Sequence, residues 1–217
     1  MCRDPQANAG HSTEPRGCDR AAGTPVVLGL AASPRRQGNS ETLLDAFLEG
    51  AEDNGASSQK LVVSALHVAP CLGCHRCRDT GECIQKDEYQ TARDAVMRAD
   101  VVALATPAYF WSLPAQMKAF VDRHQSLWAH RDMSAGRLPC ARSGRGEQRG
   151  VLLAVAGDPD PRFQGLRQTV DSFFSVYYMK VWEAALFSGL LDIDDVRNRP
   201  EALATARSLG GRSVLGL

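Results

Sequence analysis

The chain has no surplus of charge: 25 Lys and Arg balance 25 Asp and Glu in 217 residues. That excludes a global electrostatic case for nucleic acid or an anionic membrane surface as partner. No apolar run approaches the roughly 20 residues that span a bilayer. Residues 1–24 hold no hydrophobic segment, so no secretory signal is read there. Seven cysteines, an uneven number without an export signal, argue against a disulfide framework and for the cytoplasm. No Ser-His-Asp or paired-carboxylate arrangement stands out, so no side chain is assigned as general acid or base. Aromatics are scarce, at 6%, which makes any cluster of them informative.

What is present describes one substantial soluble domain, with 44% hydrophobic and 23% charged residues. Residues 1–24 are rich in Arg, Asp, Gly, Ala and Pro and read as a disordered tail; residues 25–217 form the domain. Pro25–Ala32 is a short continuous apolar run, typical of a strand buried on both faces. A polar loop, Ser33–Ser40, follows, then a helix with Leu43, Leu44, Phe47, Leu48 and Ala51 at helical spacing, closed by Asn54-Gly55.

The unit repeats. A second strand is expected over Lys60–Val68 and a helix over Asp87–Arg98, with Asp87 as its cap. A third strand ends at Thr106-Pro107, and a helix then carries Met117, Phe120, Val121 and His124 on one side. Met133–Arg149 reads as a surface loop. Gly150–Ala156 is the fourth strand, Leu166–Met179 a helix, Val181–Phe187 the fifth strand. Tyr177, Tyr178 and Trp182 have core-like spacing. Pro200 opens a last helix that Gly210-Gly211 is expected to stop.

Five strands alternating with helices predict an α/β fold: a doubly wound parallel sheet with right-handed crossovers. Ligands of such sheets bind outside the carboxyl ends of the strands. The loops at that edge are therefore the places to look. Ser33–Ser40 offers hydroxyls, an amide, two arginines and a helix N-terminus, a combination that attracts a phosphate. It contains neither Gly-Lys-Ser/Thr nor Gly-x-Gly-x-x-Gly, which weighs against nucleoside triphosphates and the usual dinucleotide grip. Tyr109-Phe110-Trp111 places three aromatics at the same edge, to cover a planar ring, a partner subunit or the core.

Four cysteines fall in one loop at residues 70–83: Cys71, Cys74, Cys77 and Cys83. Tetrahedral zinc usually takes ligands as two pairs a dozen or more residues apart, whereas Cys-x2-Cys-x2-Cys is the run that ferredoxins use for a cubane cluster. A [4Fe–4S] cluster is the expected occupant, with zinc as the other possibility. Gly73 and Gly81 allow the loop to bend, and Arg76 and Arg78 offset negative charge.

Ser33-Pro34-Arg35-x-x-Gly38-Asn39-Ser40-x-Thr42, Thr106-Pro107-x-Tyr109 and Gln116-x-Lys118-x-Phe120-x-Asp122-Arg123 resemble the flavodoxin-like NAD(P)H-dependent FMN reductases. With the cysteine loop, the chain is most similar to their iron–sulfur flavoprotein branch, and the resemblance runs from Val26 to the C-terminus. It implies a five-stranded sheet in the order 2-1-3-4-5 and bound FMN. Ser33, Arg35, Asn39, Ser40 and Thr42 would match the phosphate loop. Pro107, Ala108, Tyr109, Phe110 and Trp111 would run along the ribityl chain and ring, with Gly157 and Asp158 in the third loop. That third loop is more acidic than the family's usual version, and Asp158 or Asp160 near the ring would oppose a reduced, anionic flavin. Gln116, Lys118, Asp122 and Arg123 would belong to a structural and subunit-contact helix.

The resemblance further implies a redox enzyme that passes electrons between a reduced donor, NAD(P)H or ferredoxin, FMN and the cluster. It implies a homodimer or homotetramer in which one chain's cluster meets another chain's flavin. Two alternatives stand beside it: a cluster-free NAD(P)H-dependent FMN or quinone reductase, since similar proteins carry related cysteines without a cluster, and a zinc-stabilised, non-enzymatic binding module.

Overall fold

The computed structural model describes residues 23–133 and 148–215. Most of the expected tail and of the expected loop at 133–149, with Cys140, lies outside the described residues. The elements run β1 (Val26–Ala31), α1 (Asn39–Asp53), β2 (Ser57–Val62), a 3-10 turn (Val63–Ala65), the single turn α2 (Cys77–Thr80), α3 (Tyr89–Arg98), β3 (Val101–Pro107), α4 (Ala115–Asp122) and α5 (Gln125–Met133). They continue with β4 (Arg149–Val155), α6 (Gln164–Ser175), β5 (Lys180–Phe187), a second 3-10 turn (Asp195–Asn198) and α7 (Pro200–Val214).

The described strands form one parallel sheet in the order β2-β1-β3-β4-β5. This is the order that the resemblance implies. The central strands are apolar at every position because both of their faces are covered. Val27, Val101, Ala103, Ala105, Val151 and Leu153 pack beneath α1 and α7. Leu28, Leu30, Val102, Leu104 and Leu152 belong to the opposite layer, with Tyr89 and Val96 of α3, Met117 and Phe120 of α4, Leu127 of α5 and Phe173 of α6. The strict alternation along β3 is the period of two expected of a pleated strand.

Three boundaries differ from the sequence reading. β2 begins at Ser57, not Lys60, and stops at Val62. It is an edge strand with β1 as its neighbour, so exposed Ser57 and Gln59 can carry the pairing, and the apolar residues mark its end. α6 stops at Ser175 instead of Met179, because Tyr178 adopts a left-handed φ of 60° and the Met179 N–H turns back to the Phe174 carbonyl (3.1 Å). Tyr177 is buried as expected, whereas Tyr178 and Trp182 are exposed, and Arg149 lies over the Trp182 ring.

The third difference is α7, which runs through Gly210-Gly211 to Val214. A Cβ at Gly210 would collide with the Phe47 carbonyl, and one at Gly50 with the Arg207 carbonyl. These glycines let α1 and α7 cross with their backbones nearly touching, instead of ending a helix.

Candidate functional site

β1 and β3 are neighbours in the sheet, but their crossovers leave in opposite directions, so a crevice opens at their carboxyl ends. The cleft there is lined by Ser33, Arg35, Gly38, Asn39 and Ser40 from the first loop, Pro107, Ala108 and Tyr109 from the second, and Val155, Ala156 and Gly157 from the third. Leu190 and Leu191, after β5, close it.

The first loop is built to leave donors free. The helix α1 starts at Asn39 without a side-chain cap on its N-terminal N–H groups, and uncapped N–H groups with the positive helix end suit an anion. The Ser33 hydroxyl accepts the Arg35 N–H (3.1 Å), which folds the loop over the strand end. Glu41, 3% exposed, accepts from the Gln37 N–H (2.7 Å), Arg36 (3.1 Å) and Lys60 (3.1 Å). Burial pushes its carboxyl up, but these three donors outweigh burial and hold it at about 2.

Asn39 plays a different part from the one expected. Its Nδ2 donates to the carbonyls of Asp192 (2.7 Å) and Leu190 (3.3 Å), and its Oδ1 accepts the Val196 N–H (3.0 Å). The side chain ties the first loop to the segment after β5, leaving its backbone N–H for the cleft. Arg35 reinforces this join through the Leu191 carbonyl (3.1 Å). The Thr42 N–H closes the first helical turn onto Gly38 (2.9 Å), and Thr42 is not among the lining residues.

After β3, Tyr109 and Ser112 exchange backbone hydrogen bonds (3.0 and 2.9 Å) around a two-residue turn. The two residues at its tip are Phe110 and Trp111, with φ of 47° and 60°. Each costs about 1–2 kcal/mol in this left-handed region, where glycine or asparagine would normally sit. Phe110 is fully exposed and Trp111 is 56% exposed, with Arg162 over its ring. Tyr109 lines the cleft, whereas Phe110 and Trp111, expected along the ring, are not among its lining residues. Strain stored in an exposed aromatic pair marks a surface shaped for contact. Asp158 accepts the Asp160 N–H (2.9 Å), and neither acid lines the cleft.

A second pocket gathers Cys71, Cys74, Cys77 and Cys83, with Leu72, Ile84, Trp128 and Ala129 as apolar wall. It shares no lining residue with the first cleft. Burial raises the Cys77 thiol pKa, and the other three cysteines raise it further. Gly73 and Gly81 take left-handed φ values of 63° and 73°, the bends the loop needs. Among the described residues no three His, Cys, Asp or Glu are drawn together tightly enough to hold a metal ion.

The base of this loop is clamped. His67 and Ala69 N–H groups donate to Glu88 (2.6 Å) and Asp87 (3.1 Å), while Gln85 reaches the Pro70 carbonyl (3.1 Å). Asp87 also accepts the Tyr89 N–H (3.0 Å), but from one residue before the N-cap, which is Glu88 and not Asp87 as expected. Arg93 donates from Nη1 to both carboxylate oxygens of Glu82 (3.1 and 3.0 Å). Arg123, 1% exposed, donates to the carbonyls of Ala69 (2.9 Å) and Gln85 (3.0 Å) and to Asp87 (2.6 Å). Beside it, buried His124 bonds the Phe120 carbonyl (2.8 Å) and the Tyr177 hydroxyl (2.5 Å), and burial lowers its pKa to about 3.

Arg123, Gln125, Ser126 and Trp128 of the pocket wall, and Leu190 and Leu191 of the cleft, were not singled out from sequence as site residues. A charged residue in a helix reads as surface, and the only sequence signal for the leucines is their place just after a strand on the binding edge. The first cleft gathers hydroxyl and N–H donors beside Tyr109, and the second pocket gathers four thiols that are not drawn together onto one point.

The family model described as NADPH-dependent FMN reductase matches residues 25–170. An iron-sulfur flavoprotein of Archaeoglobus fulgidus is 36% identical over 111 residues, 51% of this chain and 50% of that protein. One of Methanosarcina thermophila is 35% identical over 97 residues, 45% of this chain and 51% of that protein. The chain thus spans about half the length of these curated relatives. An NAD(P)H:quinone oxidoreductase from Methanothermobacter marburgensis superposes with a TM-score of 0.60 at 22% identity, covering 88% of this chain and 97% of that one. That likeness concerns the fold.

Proposed function

This chain belongs to the NADPH-dependent FMN reductase family, and from that membership we propose that it is an FMN-dependent oxidoreductase of the iron–sulfur flavoprotein kind. It would pass electrons between a reduced donor, either NAD(P)H or a redox partner such as ferredoxin, the flavin, and a [4Fe–4S] cluster on Cys71, Cys74, Cys77 and Cys83. The observation that carries this reading is the cleft at the β1/β3 switch point. There an uncapped helix N-terminus and a strained aromatic turn border the same space.

FMN, when bound, supplies two-electron hydride chemistry or single-electron exchange. The chain supplies position. Ser33, Ser40 and the first N–H groups of α1 would hold the phosphate, with Arg35 as nearby positive charge. Pro107, Ala108 and Tyr109 would run beside the ribityl chain and ring, and Gly157 would leave room opposite them. Phe110 and Trp111 would shield the ring edge from water or meet a second subunit. At the other pocket the four thiols would provide the ligand set once drawn together, and the apolar wall would limit water.

The test is a visible spectrum of protein purified without oxygen, with iron and acid-labile sulfide assays. A flavin spectrum bleached by NAD(P)H, with about four irons and four sulfides per chain, is the expected result. Protein that stays colourless after reconstitution with FMN overturns the flavin reading, and stoichiometric zinc overturns the cluster.

One observation favours a second reading. The four cysteines line one pocket without converging on a point, as they would in a cluster-free FMN or quinone reductase. Turnover with NADPH but not with reduced ferredoxin, in protein lacking iron, would identify that case. Family membership supports either enzyme over a non-enzymatic binding module. We further propose a homodimer or homotetramer, because the two pockets share no residue within one chain; a monomer by light scattering at micromolar concentration would refute it. No described helix is long and apolar enough to cross a membrane.

A further inference from the structure

We propose that Arg123 is a positioning residue for the group held by the four cysteines, supplying one N–H donor and a positive charge from the floor of their pocket. The inference rests on the cluster reading above and adds a residue to it. Arg123 is the largest fully buried side chain among the described residues. Its Nη1 donates to the Ala69 carbonyl and Asp87, and its Nη2 to the Gln85 carbonyl. Its Nε is buried and has no hydrogen-bond acceptor, and no other buried side-chain nitrogen or oxygen among the described residues shares that condition.

An unpaired buried donor of a charged group is costly, so it persists where something else completes it. Arg123 lines the same pocket as all four thiols. A sulfur acceptor in that pocket, from Cys83 or from a bound inorganic sulfide, would complete the guanidinium. Four thiolates on a cubane make a multiply anionic group, and Arg76 and Arg78 are exposed at the rim whereas Arg123 is enclosed. Arg123 therefore acts at short range and in low dielectric, where a charge counts most.

The Tyr89 ring, 4.7 Å from the guanidinium, and the Asp87 pair at 2.6 Å hold it in place. Asp87 also partly neutralises it. The two residues should thus act on the cluster with opposite signs. Reduction adds one electron to the cluster and makes or breaks no bond to the protein. Removing a positive donor disfavours the reduced, more negative form, and removing the carboxylate favours it.

The experiment is an anaerobic dithionite titration of the full chain followed by electron paramagnetic resonance, with iron and sulfide measured on every sample. Arg123→Gln is expected to lower the cluster's midpoint by a tenfold change in the reduced-to-oxidised ratio, about 59 mV for one electron. Asp87→Asn, which keeps an acceptor for the Tyr89 N–H, is expected to raise it. Midpoints equal to the parent's, or shifted the same way in both variants, overturn the inference while leaving the cluster reading standing. A merely structural role would lower iron content in both without opposite shifts. If Arg123→Gln does not fold, Asp87→Asn decides alone: a rise supports the inference, and a fall or no change overturns it. A parent protein without iron and sulfide refutes the cluster reading itself, and the inference with it.

Discussion

Replacing Asn39 with alanine should destabilise the protein before any flavin is added. The Asn39 amide joins the first loop to the segment after β5 through three hydrogen bonds, two of them fully buried. Alanine would strand the Val196 N–H, on a residue with 0% exposure, and the Leu190 carbonyl, on one with 4%. Each buried group left without a partner costs about 1–3 kcal/mol. The sum, reduced for local relaxation and water entry, is about 2–4 kcal/mol. For a chain of this size about 1 kcal/mol shifts Tm by roughly 2–4 °C, so the variant should melt about 5–12 °C below the parent. Asn39→Asp should be worse, since a carboxylate cannot donate and would face the two carbonyls that the amide now serves. The assay is urea or thermal unfolding of flavin-free protein by circular dichroism. If Asn39→Ala unfolds within about 0.5 kcal/mol of the parent and loses only FMN affinity, the side chain is a ligand and not a strut, and the assignment made from the structure is wrong.

Gly210→Ala should destabilise by about 3 kcal/mol or more, because the new methyl meets the Phe47 backbone, whereas Gly55→Ala, in open space at a φ of 84°, should cost only about 1 kcal/mol in urea unfolding. Stability should fall with acid in two windows: His124, whose folded pKa is lowered from 6.5 to about 3, lets the unfolded chain take up its proton first as pH drops below 6.5. The Glu41 contribution, present above its ordinary value of 4.5, is lost as pH falls from there to about 2, so unfolding midpoints of Glu41→Gln should change less than the parent's in that lower window. Phe110→Asn, a residue at home in the left-handed region, should leave flavin-free stability unchanged or slightly raised, and should weaken FMN binding about tenfold in a fluorescence titration.

How legible each part was follows from how local its cause is. β1, β3 and β4 could be read because central parallel strands are apolar throughout, and that pattern lies within each strand. β2 was displaced because an edge strand has little apolar signal. Gly210-Gly211 was misread because a glycine reports an unusual backbone need, not which need: at Gly210 it was Phe47, 163 positions away, not a helix end. Ser33, Ser40 and Tyr109 were placed at the cleft by motif, and the structure brings them together. Asn39 was found as a site residue with the wrong task, since its acceptors sit more than 150 positions along the chain. The four cysteines announced themselves by density. Arg123 was named from the motif only as part of a contact helix; its place beside the cysteines becomes visible only with its partners.

The two strands of chain that enter and leave the cysteine loop are fastened to each other by Asp87, Glu88 and Arg123. The segment from Pro70 to Gln85 is therefore closed at its neck, with Glu82 also held by Arg93 and Cys83 packed on the core layer beneath it. Such a neck makes the loop an exchangeable cassette. A shorter hairpin, or a loop with different ligand spacing, grafted between His67 and Asp87 should leave the flavin-binding half folded. One carrier could then be given a different redox centre, or none.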